Sequence, residues 1–313
     1  MMKQGIKDGL VLLLFLVLLP YVMGIMNKTK EEGVGWMNME KIEIKEEAAN
    51  FVRYEDKLHI QEIPLEEFLI GALAGTIPIE YEKEVLKAQA VLLRSTCYGG
   101  LEKEGTVSGQ GAEKKVIDWE KIGNGYLTQN QMKKIWKEDY ETNYKRVKEA
   151  VEETKGIIIT YQENPIEGTY HAMSGGKTRN GRDILKEADY GWLESVLCEK
   201  NVESDNFLQA VSISKKQIWE LSIESRDEAG YVTAVFCNGE KLTGEQFREK
   251  YELASANFTF EEKNEEYVIT TKGMGHGLGM DQYYGNYLAE HQYNYTEILD
   301  YFFKDTKLSK ITE

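Results

Sequence analysis

Two glycine-bearing loops hold the side chains whose types and spacing could do chemistry. The first reads His171-Ala172-Met173-Ser174-Gly175-Gly176-Lys177-Thr178 and closes an expected strand. Gly176-Lys177-Thr178 copies the tail of a phosphate loop, but the first glycine of such a loop would fall at His171, and no continuous helix follows. Ala172 to Gly176 has the outline of a hydrolase nucleophile elbow, yet that elbow sits on the strand-to-helix turn of an α/β sheet, which this chain lacks. What remains is a loop whose backbone comes close to a ligand. The second reads Gly273-Met274-Gly275-His276-Gly277-Leu278-Gly279-Met280-Asp281-Gln282, with glycines alternating around His276 directly after a strand. So much glycine weakens a strand and indicates positive φ or a ligand against the backbone. His276 could donate a hydrogen bond, transfer a proton, or simply be packed by the backbone around it. No metal motif such as H-E-x-x-H occurs, and no cofactor is expected. His291 falls on a polar helix face and is expected to be solvated.

The elements that must position these loops are mixed. Glu40–Glu46 and Lys57–Ile63 alternate as half-buried strands do, which turns His59 outward. Pro64-Leu65-Glu66-Glu67 starts a helix, with Leu65, Phe68, Leu69, Ala72 and Leu73 at helical spacing. Gly75 and Pro78 break it. A second helix from about Tyr81 to Tyr98 is apolar on more than one face and should be central, with Lys87 and Arg94 seven residues apart on one side. Two long cations on a buried helix need partners or a wet cleft. Residues 99–145 read as a charged insertion, and Tyr144–Lys155 as a helix ended by Gly156. Ile157–Tyr161 and Ile166–Ala172 suggest a hairpin. Further strands are expected at Gln209–Ser214, Tyr231–Cys237 and Glu266–Thr271, and helices at Lys215–Ser222, Thr243–Tyr251, Tyr284–Gln292 and Tyr295–Phe303. Without regular strand-helix alternation the fold class is α+β, a mixed sheet domain with a central buried helix.

Composition narrows the function classes. The 313 residues carry a net charge of −15, which argues against nucleic acid as partner. Cys97, Cys198 and Cys237 are too few and too scattered for a disulfide framework, and read as buried thiols. Leu10–Met26 is a run of 17 uncharged residues between Lys7 and Lys28. About 17–25 apolar residues span a bilayer, whereas a signal-peptide core is usually about 7–15 and ends in small residues absent here. The expectation is a single N-terminal transmembrane helix. It would follow a flank at 1–9 and precede a tether at 27–39 and one domain over 40–313.

Three blocks together resemble the stage II sporulation protein D and amidase-enhancer family. Leu86-Lys87-Ala88-Gln89-Ala90-Val91 with Arg94 is similar to its ALKAQAVAAR helix, His171–Thr178 to its HSTSGGKT loop, and Gly275–Tyr283 to its GHGVGMSQY segment. The likeness runs from about Ile63 to Leu308. It implies a cell-membrane protein with an extracytoplasmic C-terminal domain that acts on peptidoglycan glycan strands during engulfment. The implied reaction is that of a lytic transglycosylase, beside a peptidoglycan amidase and a membrane partner protein. One acid protonates the bridging oxygen while the sugar's own 6-hydroxyl attacks the anomeric carbon.

The family's acid is the Glu of an Ala-Glu-Met-Pro segment, and alignment on LKAQAV puts Thr76-Ile77-Pro78 there. A threonine hydroxyl does not protonate a leaving group at neutral pH. Either Glu80 or Glu82 supplies the carboxylate, or the chain is a glycan-binding relative that recruits or stimulates an amidase. A glutamate at Glu80 also suits the first turn of the next helix, where the dipole favours the ionised form. The resemblance places Thr76, Lys87, Arg94, His171, Ser174, Gly175, Lys177, Gly277 and Gln282 on substrate in a shared cleft, with Glu80 and His276 as candidates for chemistry.

Overall fold

Helix α2 (Lys83–Glu104) runs through the middle of the larger hydrophobic core, because its apolar residues surround it. Val85, Leu86, Ala88, Ala90, Val91, Leu92 and Cys97 are all fully buried. The computed structural model describes residues 50–55, 60–104, 106–107, 115–118, 125–185 and 190–311. Residues 48–313 form one compact unit. The cysteines in it are free and buried.

Helix α1 (Leu65–Thr76) starts at Pro64 with Glu66 and Glu67 in its first turn, and buries Leu65, Phe68, Leu69, Ala72 and Leu73 as their spacing predicts. It packs on α2 beside α4 (Tyr140–Glu153), with α3 (Gln129–Trp136) leading into α4. Before α1, strand β1 (Asn50–Glu55) pairs antiparallel with β2 (Ile60–Pro64) and parallel with β4 (Lys115–Asp118), which pairs with β3 (Thr106–Val107). After α4, β5 (Ile157–Tyr161) lies on α2.

The expected hairpin is corrected here. Strand β5 pairs with the two residues of β6 (Asn164–Pro165) and then with β15 (Lys307–Lys310), while β7 (Tyr170–His171) leaves to pair with β14 (Met280–Asp281). Gly168 sets this departure. It runs against the Leu92 backbone of α2, so the chain is turned away before a second strand can form.

A smaller core holds the rest. Strand β8 (Leu208–Ser214) pairs with β13 (Glu266–Lys272), which pairs with β12 (Phe258–Lys263). Strand β10 (Val232–Cys237) lies between β9 (Leu221–Arg226) and β11 (Glu240–Leu242). Helix α6 (Gly244–Lys250) covers the core, with Phe247 and Phe258 stacked at 5.1 Å. The helix expected at Lys215–Ser222 is absent. Its segment is a turn whose Trp219 and Glu220 amides donate to the Asn238 side chain, followed by β9. Four-residue helix α5 (Gly181–Ile184) connects the first loop to the second half. Helices α7 (Gln282–Glu290) and α8 (Tyr295–Phe302) close the larger core.

The fold is therefore mixed α and β, and the expected transmembrane helix is corrected. Among the described residues no helix is long and apolar enough to cross a membrane. The longest, α2, has 22 residues but carries lysine, glutamate and arginine along its length. Leu10–Met26, the tether, the strand expected at Glu40–Glu46, and His59 lie outside the described residues.

Candidate functional site

Two loops are laced together by their backbones. Met173 and Met274 exchange hydrogen bonds of 3.0 and 2.6 Å, and Met280–Asp281 pair in parallel with Tyr170–His171. The lacing requires the alternate glycines, all four of which have positive φ. A Cβ at Gly275 would stand 2.9 Å from the His171 Cβ, and one at Gly279 would run into the Thr169 carbonyl oxygen.

Asp281 is the centre of this junction. It is fully buried and caps α7, its Oδ1 accepting the Tyr284 amide at 2.9 Å. Its Oδ2 accepts the Ser174 amide at 2.7 Å and the Asn201 side-chain Nδ2 at 2.5 Å. Asn201 Nδ2 also reaches the Ser174 carbonyl at 3.1 Å and hydroxyl at 3.0 Å. One carboxylate thus seats the first loop, the second loop and the turn before β8. The Cys198 thiol lies beside it and is pushed well up by burial.

The two histidines face each other with ring centroids 5.7 Å apart. His171 Nδ1 lies 2.9 Å from the Leu278 carbonyl oxygen, which can only accept, so this nitrogen carries the hydrogen. Burial lowers the His171 pKa despite Asp281, whose Oδ2 is 3.9 Å from Nε2. His276 Nδ1 accepts the Leu278 amide at 3.1 Å. Burial, and after it the neighbouring His171, bring the His276 pKa down to about 3. Near neutral pH both rings are neutral, so neither is poised as a proton donor with an imidazolium charge.

The third segment joins through Gln282. Its Nε2 donates to the Thr76 carbonyl oxygen at 2.8 Å and to Gln89 Oε1 at 3.1 Å. Asn286 of α7 accepts the Glu82 amide at 2.7 Å. The turn between α1 and α2 is thereby hung on α7. Thr76 Oγ1 donates at 2.8 Å to the Ala72 carbonyl oxygen of its own helix. Glu80 is exposed in that turn. Tyr81 is held in the un-ionised phenol form by burial first and then by Asp281.

Thr76, His171, Ser174, Gly175, His276, Gly277 and Gln282 are thus brought to one junction, with Glu80 on its turn. Lys177 lies on the first loop and is half-buried. Arg94 and Lys87 are placed elsewhere, which corrects the expectation that they line the same cleft. Residues two apart on a helix point about 200° apart, so with Gln89 turned to Gln282 the Lys87 side faces away. Lys87 pairs with Glu84 at 2.8 Å and lies over the Tyr295 ring. Arg94 is fully buried and grips Glu66 with two hydrogen bonds of 2.7 and 2.8 Å. It also donates to the carbonyl oxygens of Ile157 and Val151. It is a strut joining α1, α2, α4 and β5.

Residues beyond the expected set complete the junction. Asp281 had a local signal, an acid placed to cap the helix that follows it. Gln89 stood inside the recognised helix block. Arg179 and Asn201 had none, because their partners are distant in sequence. Arg179 is buried between Asp227 at 2.7 Å and Glu245 at 2.8 Å, and donates to the His276 carbonyl at 3.1 Å. Its guanidinium lies 4.8 Å from the Tyr231 ring, whose hydroxyl accepts the Gly175 amide at 3.2 Å. Among the described residues no group of His, Cys, Asp and Glu side chains could hold a metal ion.

Comparison with known proteins identifies relatives of the chain. A family model described as stage II sporulation protein matches residues 53–161, the stretch from β1 to β5 that includes the central helix. Stage II sporulation protein D of Bacillus amyloliquefaciens is 32 % identical over 280 residues, which is 85 % of this chain and 80 % of that protein. The protein of the same name from Bacillus subtilis (strain 168) is 28 % identical over 263 residues, 80 % of this chain and 76 % of the relative. An uncharacterised protein of Brachyspira hyodysenteriae is 24 % identical over 269 residues, 81 % of this chain and 69 % of that one. The chain belongs to the stage II sporulation protein D family, a sporulation family.

Proposed function

We propose that this protein engages peptidoglycan glycan strands at the junction of the Thr76–Glu82 turn, the His171–Thr178 loop and the Gly273–Gln282 loop, without the family's proton donor. The observation that carries the reading is the convergence of three separate segments on Asp281 and Gln282, two of them matching blocks of the family's sequence and the third standing where the family has its acid. Half-buried Lys177 and the open backbone at Gly176, where a Cβ would meet nothing within 4 Å, present donors suited to sugar hydroxyls beside the half-buried His276 ring.

The transglycosylase step needs a proton at the bridging oxygen as the 6-hydroxyl attacks. Thr76 spends its hydroxyl on its own helix, both histidines are neutral, and Asp281 is occupied by three N–H donors. Held glycan then serves another enzyme, a peptidoglycan amidase recruited or stimulated on the same strand. Because that substrate lies outside the cytoplasmic membrane, the domain acts there. Cleavage by the chain itself is the second reading, and one observation favours it. Glu80 is an exposed carboxylate on the turn that carries Thr76.

Co-sedimentation with denuded peptidoglycan strands tests the assignment. The native chain is retained, and Lys177→Ala together with His276→Ala weakens retention about tenfold, equivalent to about 1.4 kcal/mol. Unchanged retention in the folded double variant would remove the junction from the binding surface.

A further inference from the structure

The strands at the margins of the small sheets differ in one respect. Among the described residues, the edge strands β2, β9, β11, β12 and β15 carry charges, for example Glu62, Glu224, Glu240, Glu261 and Lys307. A charge on an edge discourages an incoming strand from another chain. Strand β8 is also an edge, and its sequence Leu208-Gln209-Ala210-Val211-Ser212-Ile213-Ser214 carries none.

The outer edge of β8 is open. Its pairing with β13 runs Gln209↔Thr271, Val211↔Ile269 and Ile213↔Tyr267. The flanking bonds from the Gly273 amide to the Phe207 carbonyl and from the Lys215 amide to the Glu265 carbonyl, both 2.8 Å, assign the odd-numbered residues to β13. Alternate residues of an antiparallel strand direct their backbone groups to opposite sides. Leu208, Ala210 and Ser212 therefore turn their N–H and C=O groups outward, and all three are exposed. Apolar side chains accompany them, since Leu208 is 56 % and Val211 38 % exposed.

We propose that this edge pairs with β8 of a second copy of the chain, antiparallel, joining two three-stranded sheets into one. The flanks select that occupant. Glu203 and Asp205 precede the strand, and Lys215 and Lys216 follow it. A two-fold axis through Ala210 sets the acidic flank of each copy beside the basic flank of the other. It also faces Leu208 to Ser212 of the second copy, so that outward backbone groups meet outward backbone groups. Lys215 already binds Glu262, so Asp205 and Lys216, both exposed and without an ion pair among the described residues, carry the match. A parallel arrangement would set like charges together.

Light scattering on the full chain at micromolar concentrations reads the mass directly. The native protein has twice the mass of the 35.9 kDa chain. Ala210→Lys, which adds a charge to an exposed edge position, has the single mass with unchanged circular dichroism. Asp205→Lys lowers the dimer fraction, and Asp205→Lys with Lys216→Asp restores it. Ala210→Cys, the three native thiols being buried, gives a disulfide-linked pair on mild oxidation. A single mass for the native chain across that range overturns the proposal, as does a double mass retained by Ala210→Lys. If Ala210→Lys loses its fold, the cross-link and the charge exchange decide in the same way.

Discussion

Arg94 and Asp281 are both fully buried charges, and their surroundings differ in one respect. Around Arg94 the guanidinium meets both oxygens of Glu66, the Val151 carbonyl of α4, the Ile157 carbonyl of β5 and the Thr154 hydroxyl, so donors and acceptors balance. Around Asp281 the carboxylate is satisfied, but its neighbours are not. Gln89 Nε2, His171 Nε2 and Asn201 Oδ1 are buried polar atoms without a hydrogen-bond partner. A buried polar group left unpaired costs about 1–3 kcal/mol, so the fold spends stability at one place and not at the other. That asymmetry separates a strut from a site.

Removing the strut has the largest expected effect. Arg94→Met leaves the Glu66 carboxylate and the Val151 and Ile157 carbonyls without their donor, and should cost about 3–5 kcal/mol in urea unfolding. If it costs under about 1 kcal/mol, Arg94 is not what joins the helices. Asp281→Asn should cost less, about 1–3 kcal/mol, because an amide oxygen still accepts from two of the three donors. Its larger consequence is loss of glycan retention as the loops separate. Loss of stability with retention intact would break the contrast.

The pair of histidines gives a pH signature. Both have folded pKa values below the ordinary value near 6.5. Between the folded and unfolded pKa the unfolded chain binds the extra proton, so stability rises with pH. For His276, with a folded pKa of about 3, the expected slope approaches about 1.4 kcal/mol per pH unit below pH 6, and fades above about pH 6.5. His276→Gln should remove that contribution between pH 5 and 6, above the range where carboxylates contribute most. A slope unchanged by His276→Gln would show the ring to be solvated. At the small end, Lys87→Ala should cost under about 1 kcal/mol, as partly exposed ion pairs do, and leave glycan retention unchanged.

How much of this was legible follows the distance between partners. Pro64 with the Leu65, Phe68, Leu69, Ala72 and Leu73 spacing gives α1, and the all-round apolar sequence of α2 gives the central helix. Both signals lie within one element. Positive φ at the alternate glycines was one of two readings their number allowed, the other being a ligand against the backbone, and all four have it. Lys87 and Arg94 were misplaced for a physical reason. Heptad spacing fixes that two residues share a face, but whether the face meets solvent, a cleft or a buried carboxylate depends on Glu66, 28 residues earlier. Asn201 was illegible for the same reason, its bond to Asp281 crossing 80 residues. The Ile157–Tyr161 hairpin failed because β-propensity does not choose a partner strand.

The central claim is that the junction holds glycan while Thr76 leaves the strand uncut. Mass spectrometry of 1,6-anhydromuramic ends on denuded strands tests it, with native chain, Thr76→Glu and Glu80→Gln side by side. The account predicts no new ends from the native chain or Glu80→Gln, and new ends from Thr76→Glu. New ends from the native chain that vanish in Glu80→Gln would contradict it and make the protein an enzyme with a relocated acid.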